Sequence, residues 1–275
     1  MDHSVQKTTP YKVISIILLI ILAVLMIFPL YWIITGSFKD ARTINSAVPV
    51  WFPTNPTADN YLRLFERPAG KWMFNTVFLC AMSMLLTCVA AAMGGYALAK
   101  KKFTGRTLLF SIFVCAMALP KQVILIPLLK EMAFLRLHNT LWAVIFPTVG
   151  WPFGVFLMKQ FSENIPGEML EAARIDGLNE FQIFVRMFVP MMRPTYAAAA
   201  TITFMNAWNA YLWPKVVMQT NESITMPMLV ANLMGGYVID FGVVMAGVTI
   251  CSLPTIVIFF LLQKSFTNAV AGAVK

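Results

Sequence analysis

The chain has 275 residues, 59% of them hydrophobic and 12% charged, with a mean hydropathy of +0.73. An ordinary soluble domain is about 45–50% apolar and about 25% charged, so this chain has too few polar residues to cover a soluble core of its size. The net charge of +9 does not point to nucleic acid. The basic residues fall mostly in short segments between apolar blocks, where they set membrane orientation and meet anionic lipid headgroups.

About 20 apolar residues in a helix cross a bilayer, and blocks of that order recur along the chain. The first runs from Val13 to Ser37. It is too long for a signal-peptide core and lacks a small-residue cleavage pattern after it, so it reads as a retained first helix. Residues 38–72 change character, with Pro49, Pro53, Pro56 and Pro68, and read as a hydrophilic loop with a short helix near Asn60–Phe65. A second span is expected from Met73 to Ala99, stopping at Lys100-Lys101-Lys102. A third starts near Thr107 and contains Pro120 and Lys121. The fourth covers Thr140–Met158 with Pro147 and Pro152 inside it, the fifth Thr195–Pro214, and the sixth Phe241–Gln263. Prolines within spans are tolerated where neighbouring helices or water satisfy the freed carbonyls.

The fold class expected is therefore an all-α polytopic membrane protein of six transmembrane helices. Residues 1–72 hold the first helix and outer loop, 73–263 a core of five helices, and 264–275 a tail. Segments 1–12, 100–106, 159–194 and 264–275 carry more basic residues than the others, and Lys100, Lys101, Lys102 and Arg106 stand without an acid among them. That bias puts both termini on the cytoplasmic side. Small residues at Ala90–Gly95, Ala197–Ala200 and Gly242-x-x-x-Ala246 read as sites of close helix packing. Cys80, Cys88, Cys115 and Cys251 lie in apolar stretches without Cys-x-x-Cys spacing, and read as packing residues.

The stretch 159–194, between spans four and five, is too long for a simple connection and mixes five acidic with four basic residues and recurrent hydrophobics. Pro166 and Glu168 suit the start of a helix, and Met169, Ala172 and Ala173 fall on one face of it. Gly177 suits a left-handed cap. Asn179 with Gln182 resembles a capping box for a second helix bearing Phe181, Phe184, Val185 and Phe188, which Pro190 closes. The apolar face of this hairpin suits the bilayer surface, the protein's own loops, or a groove on a partner.

The run Glu171-Ala172-Ala173-Arg174-Ile175-Asp176-Gly177, followed after nine residues by Met187-Phe188-Val189-Pro190, resembles the E-A-A loop of ABC importer permeases. Met187 and Val189 stand where isoleucine and leucine are usual, both apolar exchanges. The resemblance implies that the hairpin is a coupling element seated in a cleft of a cytoplasmic ATPase. Glu171 would then present a carboxylate to the cleft, Ala172 and Ala173 would permit close approach, and Gly177 would set the hairpin angle. Arg174 and Asp176 would hold the loop's own fold.

Further runs resemble the carbohydrate-importer branch of the maltose and glycerol-phosphate type. They are Phe52-Pro-Thr-x-Pro-Thr with Asn60-Tyr61, Gly95-Tyr-Ala-Leu-Ala-Lys100, Pro120-x-Gln122 with Ile126-Pro127, Asn139-Thr-Leu-Trp142, Trp208-Asn-x-Tyr-Leu-Trp-Pro214, and Gly272-Ala-Val-Lys275. Asn268 stands where glycine is common. This resemblance implies the six-span member of a heterodimeric permease pair in a bacterial inner membrane, with two ATPase subunits and an extracytoplasmic sugar-binding protein. A secondary transporter, or an ABC permease for a non-sugar solute, is the alternative.

Asn206, Asn209 and Trp213 stand at i, i+3 and i+7, and share one face if span five is a continuous helix. Amides beside an aromatic suit a carbohydrate pathway. They equally suit interhelical hydrogen bonding, with Trp208 and Trp213 near the outer interface. Lys121 either faces the pathway or snorkels outward, the second being favoured. No Gly-x-x-x-x-Gly-Lys-[Ser/Thr] run occurs, so ATP and Mg belong to a partner ATPase and no cofactor is expected on this chain. No catalytic constellation is expected. His3 and His138 stand outside any ligand-like cluster, so no metal site is expected.

Overall fold

The computed structural model describes residues 10–273, with side chains described over 11–258 and at Phe260. Among the described residues the regular structure is entirely helical. In order the helices are α1 (Pro10–Ser37), α2 (Ala41–Ile44), α3 (Asp59–Phe65), α4 (Ala69–Lys100), α5 (Arg106–Met117), α6 (Leu125–Phe134), α7 (Trp142–Val149), α8 (Pro152–Glu163), α9 (Gly167–Ile175), α10 (Glu180–Ile183), α11 (Val189–Met191), α12 (Arg193–Trp208), α13 (Leu212–Val217), α14 (Met226–Leu233) and α15 (Phe241–Ala273). A π-helical turn, Phe184–Phe188, joins α10 to α11. Among the described residues, four stretches are long and apolar enough to cross a membrane: Tyr11–Ser37, Ala69–Lys100, Trp142–Glu163 and Phe241–Ile258. Helices α5 and α12, at 12 and 16 residues, are shorter.

The expected spans therefore hold in part. Span two begins four residues early, at Ala69. Span three does not continue through Pro120: α5 ends at Met117, and Pro120 and Lys121 sit in a turn before α6. Span four is two helices, because Pro152 lacks an N–H and starts a new helix at its first position instead of sitting inside one. Span five stops at Trp208 and restarts at Leu212. Span six runs past Gln263 to Ala273, so the expected tail from residue 264 is largely helical. Residues 1–9 and the last two of the Gly272–Lys275 motif lie outside the described residues.

The chain divides into two compact units. The first comprises residues up to Arg67 together with Val230–Cys251. Here α1 exposes its apolar side chains through Leu30, and only its last turns are covered, the pattern of a helix solvated by lipid. The motif Asn60-Tyr61 ties this unit. Asn60 is buried and donates to the carbonyls of Ser37 (2.9 Å) and Lys39 (2.8 Å), while accepting from Arg63. Arg63 in turn pairs with Asp240 at 2.6 Å, and Asp240 accepts from the N–H of Val243 at the start of α15. Gly242 leaves room for the Asn60 amide, with which any Cβ would collide. The small pair Gly242 and Ala246 thus accommodates a polar side chain at its first member. Lys39, 2% exposed, donates to Val50 O at 2.5 Å and lies over the Trp32 ring, and burial lowers its pKa.

The second unit comprises Pro68–Leu229 with the chain from Ser252 on. Its centre is the packing of α4 on α8 and α12. At Gly95 the α4 backbone meets the α8 backbone directly: a Cβ there would lie 2.5 Å from Met158 Cβ and 2.8 Å from Lys159 N. Ala91, Ala198 and Ala199 are buried nearby, so the small-residue clusters on α4 and α12 do serve close approach. At the other end of α4, Asn75 donates to the carbonyls of Glu222 and Ile224. Asn139, at φ +63, ties the Asn139–Trp142 motif to the end of α13. Its N–H donates to Val217 O, and its side-chain oxygen accepts from Gln219 N. Cys80, Cys88, Cys115 and Cys251 are not joined in disulfides.

Candidate functional site

Between α8 and α12 the chain forms short helices joined at Gly177, and their local signals act where they stand. Pro166 is the N-cap of α9 and Glu168 lies in its first turn. Gly177 ends α9 at φ +85, with its N–H donating to Arg174 O and the Leu178 N–H donating to Ala173 O. This is a Schellman cap, which glycine enters without Cβ strain. Asn179 and Gln182 form a reciprocal capping box, at 2.9 and 3.0 Å. The second limb departs from expectation. Pro190 does not close it but lies exposed in α11, and the chain continues helically through the π turn.

The faces of the hairpin also differ from expectation. In α9 the buried residues are Leu170 and Ala173, whereas Met169 and Ala172 are exposed. In the second limb Ile183 and Phe188 are fully buried, Phe184 and Met187 pack against them, and Phe181 and Val185 point outward. Two apolar stripes therefore run along the hairpin. One is sunk into the core formed with Tyr96, Met158 and Ala199. The other, Met169, Ala172, Ile175 and Phe181, is uncovered, with Ile175 87% and Phe181 75% exposed. Glu171 and Asp176 are exposed beside it.

Glu180, which the sequence did not single out, is the electrostatic centre of the hairpin. Its carboxylate takes the Arg174 Nε at 3.0 Å, the Tyr96 hydroxyl at 3.1 Å, and the Lys101 ammonium. Hydrogen bonding from Lys101, then from Tyr96 and Arg174, holds its pKa below the usual 4.5. Lys100 Nζ donates to Ile165 O at 2.5 Å. Tyr96 and Lys100 lie in the Gly95–Lys100 motif, but nothing local in that run tells that they reach across to the hairpin. Arg174, expected to hold the loop's own fold, pairs with Glu180 across the Gly177 turn.

The second group of expected residues is not brought together. Because α12 ends at Trp208, Asn206, Asn209 and Trp213 do not share a helix face. Asn206 is exposed, and Asn209 caps the helix and donates to Met205 O at 2.8 Å. Trp213 lies on α13 and donates from Nε1 to Ala143 O at 3.0 Å, which commits its polar edge to α7. Trp208 is 2% exposed and stacks on Phe204 inside the unit, away from any surface position. Lys121 is exposed in the turn before α6. Among the described residues no group of three or more His, Cys, Asp or Glu is placed to hold a metal ion.

The model of the binding-protein-dependent transport system inner membrane component family matches residues 70–272. The chain belongs to this family. The permease is 32% identical over 278 residues to the arabinooligosaccharides transport system permease protein AraQ of Halalkalibacterium halodurans, covering 98% of this chain and 99% of that one. It is 34% identical over 254 residues to the lactose transport system permease protein LacG of Rhizobium radiobacter, covering 92% of each. The crystal structure of a bacterial ABC transporter involved in the import of the acidic polysaccharide alginate superposes with a TM-score of 0.86 at 21% identity, over 96% of this chain and 99% of that chain. The permease shares that fold. As a component of this family it is a multi-pass membrane protein and a transport subunit rather than an enzyme. It works alongside a binding protein, a partner permease and an ATPase.

Proposed function

We propose that this permease is the six-span subunit of an ATP-driven importer for a carbohydrate, an oligosaccharide or related sugar, in a bacterial inner membrane. It pairs with a second, different permease, two cytoplasmic ATPase subunits that hold ATP and Mg, and an extracytoplasmic sugar-binding protein. Both termini are cytoplasmic. The names of its relatives support the sugar class. The short apolar helix α5 and the short helix α12 are the third and fifth crossings. At 1.5 Å per residue they rise about 18 and 24 Å, and the turns before α6 and α13 complete the passage.

One observation carries the coupling assignment: the hairpin anchors one apolar stripe in the core and leaves the other, from Met169 to Phe181, uncovered beside Glu171. An uncovered apolar stripe with a flanking carboxylate suits a protein groove with basic or amide donors at its edge. ATP-driven closure of the ATPase pair moves the hairpin, and the membrane helices switch between inward- and outward-facing states. Glu171, Ala172 and Ile175 meet the ATPase, Gly177 sets the angle, and Arg174, Asp176, Met187 and Pro190 support it. In the purified complex, Glu171→Lys and Gly177→Pro should detach or uncouple the ATPase while the permease still folds. Normal co-purification and transport in both variants would refute the assignment. Asn206, Asn209 and Lys121 are proposed as lining the pathway, with Trp213 fixing its wall.

A further inference from the structure

The hairpin is joined to α8 by the short non-helical link Asn164–Pro166, and beyond its buried stripe it is held by polar contacts that brace it against rocking about that link. Three side chains from the last turns of α4 and its cap reach it at both ends. Lys100 takes the carbonyl of Ile165 in the link itself. Tyr96 and Lys101 take the carboxylate of Glu180 on the far limb, and Arg174 ties that same carboxylate back to α9. The Tyr96 ring packs edge-on against Phe184 at 5.3 Å and Phe188 at 4.7 Å. Behind Tyr96, Gly95 lets the α4 backbone rest on α8 at Met158–Lys159. The cluster Lys100–Lys101–Lys102 has no acid of its own, and Glu180 supplies one from across the fold.

We propose that Tyr96, Lys100, Lys101 and Glu180 form a clamp that makes the hairpin and the inner end of α4 a single rigid lever. They are positioning residues: motion at the hairpin is delivered to α4 instead of being absorbed by pivoting at Asn164–Pro166. This rests on the coupling reading of the hairpin. The Glu180 side chain is 51% exposed, and exposed ion pairs add about 0–1 kcal/mol to stability. Loosening the clamp therefore changes how the hairpin is held far more than whether the permease folds.

The test uses the full transporter with its ATPase subunits, with the native cysteines replaced by alanine. Spin labels are placed through Met93→Cys on the exposed side of α4 and Val185→Cys on the outer side of the second limb. Their separation is measured by pulsed dipolar spectroscopy without nucleotide and after trapping with ATP and vanadate. The clamp predicts one narrow distance that does not change between the two states. In Glu180→Gln with Lys101→Ala, the distance should broaden or shift on trapping, while ATPase co-purification is retained and the melting temperature falls by about 4 °C or less. A distance that already changes in the unsubstituted clamp, or one that stays narrow and constant in the double variant, overturns the proposal. Loss of ATPase binding in the double variant also overturns it, since Glu180 would then belong to the docking face. Failure of the underlying coupling reading is separate: it appears as ATPase retained in Glu171→Lys and Gly177→Pro.

Discussion

Gly94 and Gly95 are neighbours on one helix, yet substituting each by alanine should have different consequences. In either case a helical glycine is replaced by the best helix former, which favours the folded state by about 1 kcal/mol. At Gly94 the new methyl would meet only Val155 side-chain atoms, the nearest at 3.3 Å, and a valine terminus yields by a few tenths of an ångström. At Gly95 it would sit 2.5 Å from Met158 Cβ and 2.8 Å from both Met158 C and Lys159 N. Two of those atoms are α8 backbone and cannot rotate away, so α4 and α8 must separate along their main contact. Overpacking of this kind costs about 1–3 kcal/mol, and the inflexible partner puts Gly95→Ala at the upper end. The net effect is a loss of about 2 kcal/mol, or roughly 4–8 °C in melting temperature at 2–4 °C per kcal/mol. Gly94→Ala should be neutral or slightly stabilising. Cys80, fully buried on the same helix, makes a thiol-reactive dye a convenient unfolding probe, read at one scan rate for all three proteins. A Gly95→Ala protein that melts at or above the wild-type temperature would refute the claim that backbone contact between α4 and α8 limits what fits there.

Three other outcomes follow from the same geometry. Because the Glu180 pKa is lowered, its stabilising contribution is present above its ordinary value of 4.5 and is lost as pH falls through the lowered folded value. The stability advantage of wild type over Glu180→Gln should therefore be constant at neutral pH, shrink below about pH 4.5, and diminish in high salt; a difference that grows on acidification contradicts the assignment. Trp213→Phe removes the bond to Ala143 O and should lower thermal stability by about 1 kcal/mol without altering which sugar is preferred in competition uptake. A changed sugar preference would instead put the indole in the pathway. Asn60→Ala deletes three hydrogen bonds from a buried amide and opens space beside Gly242. It should cost about 2–3 kcal/mol, visible as faster limited proteolysis between residues 38 and 68.

How much of this could be read from the chain depends on how local each signal is. The start of the hairpin and its turn are legible because Pro166, Gly177 and the Asn179–Gln182 pair act on backbone groups within a few residues of themselves, whereas Pro190 does not end the second limb. Which stripe of α9 is buried is not legible. Met169 with Ala172 and Leu170 with Ala173 are both apolar pairs at helical spacing. The choice between them is made by the core that Leu170 and Ala173 join, with Tyr96 from α4 and Met158 from α8, which come from elsewhere in the fold. The end of α12 was equally hidden, since no glycine or proline stands at Asn209, Ala210 or Tyr211, and the i, i+3, i+7 argument for Asn206, Asn209 and Trp213 failed with it.

Glu180 shows the limit most sharply. At the first position of a short helix, an acid is already explained by the helix dipole, so nothing in its surroundings asks for another partner. Lys100–Lys102 is likewise explained as a stop signal for orientation. Each charge has a sufficient local reason, and those local reasons conceal that the structure places them against one another. The four substitutions Tyr96→Phe, Lys100→Ala, Lys101→Ala and Glu180→Gln should therefore look mild by any measure of helix formation or membrane insertion. Where their effects register, they should do so together, in how firmly the hairpin is held to α4.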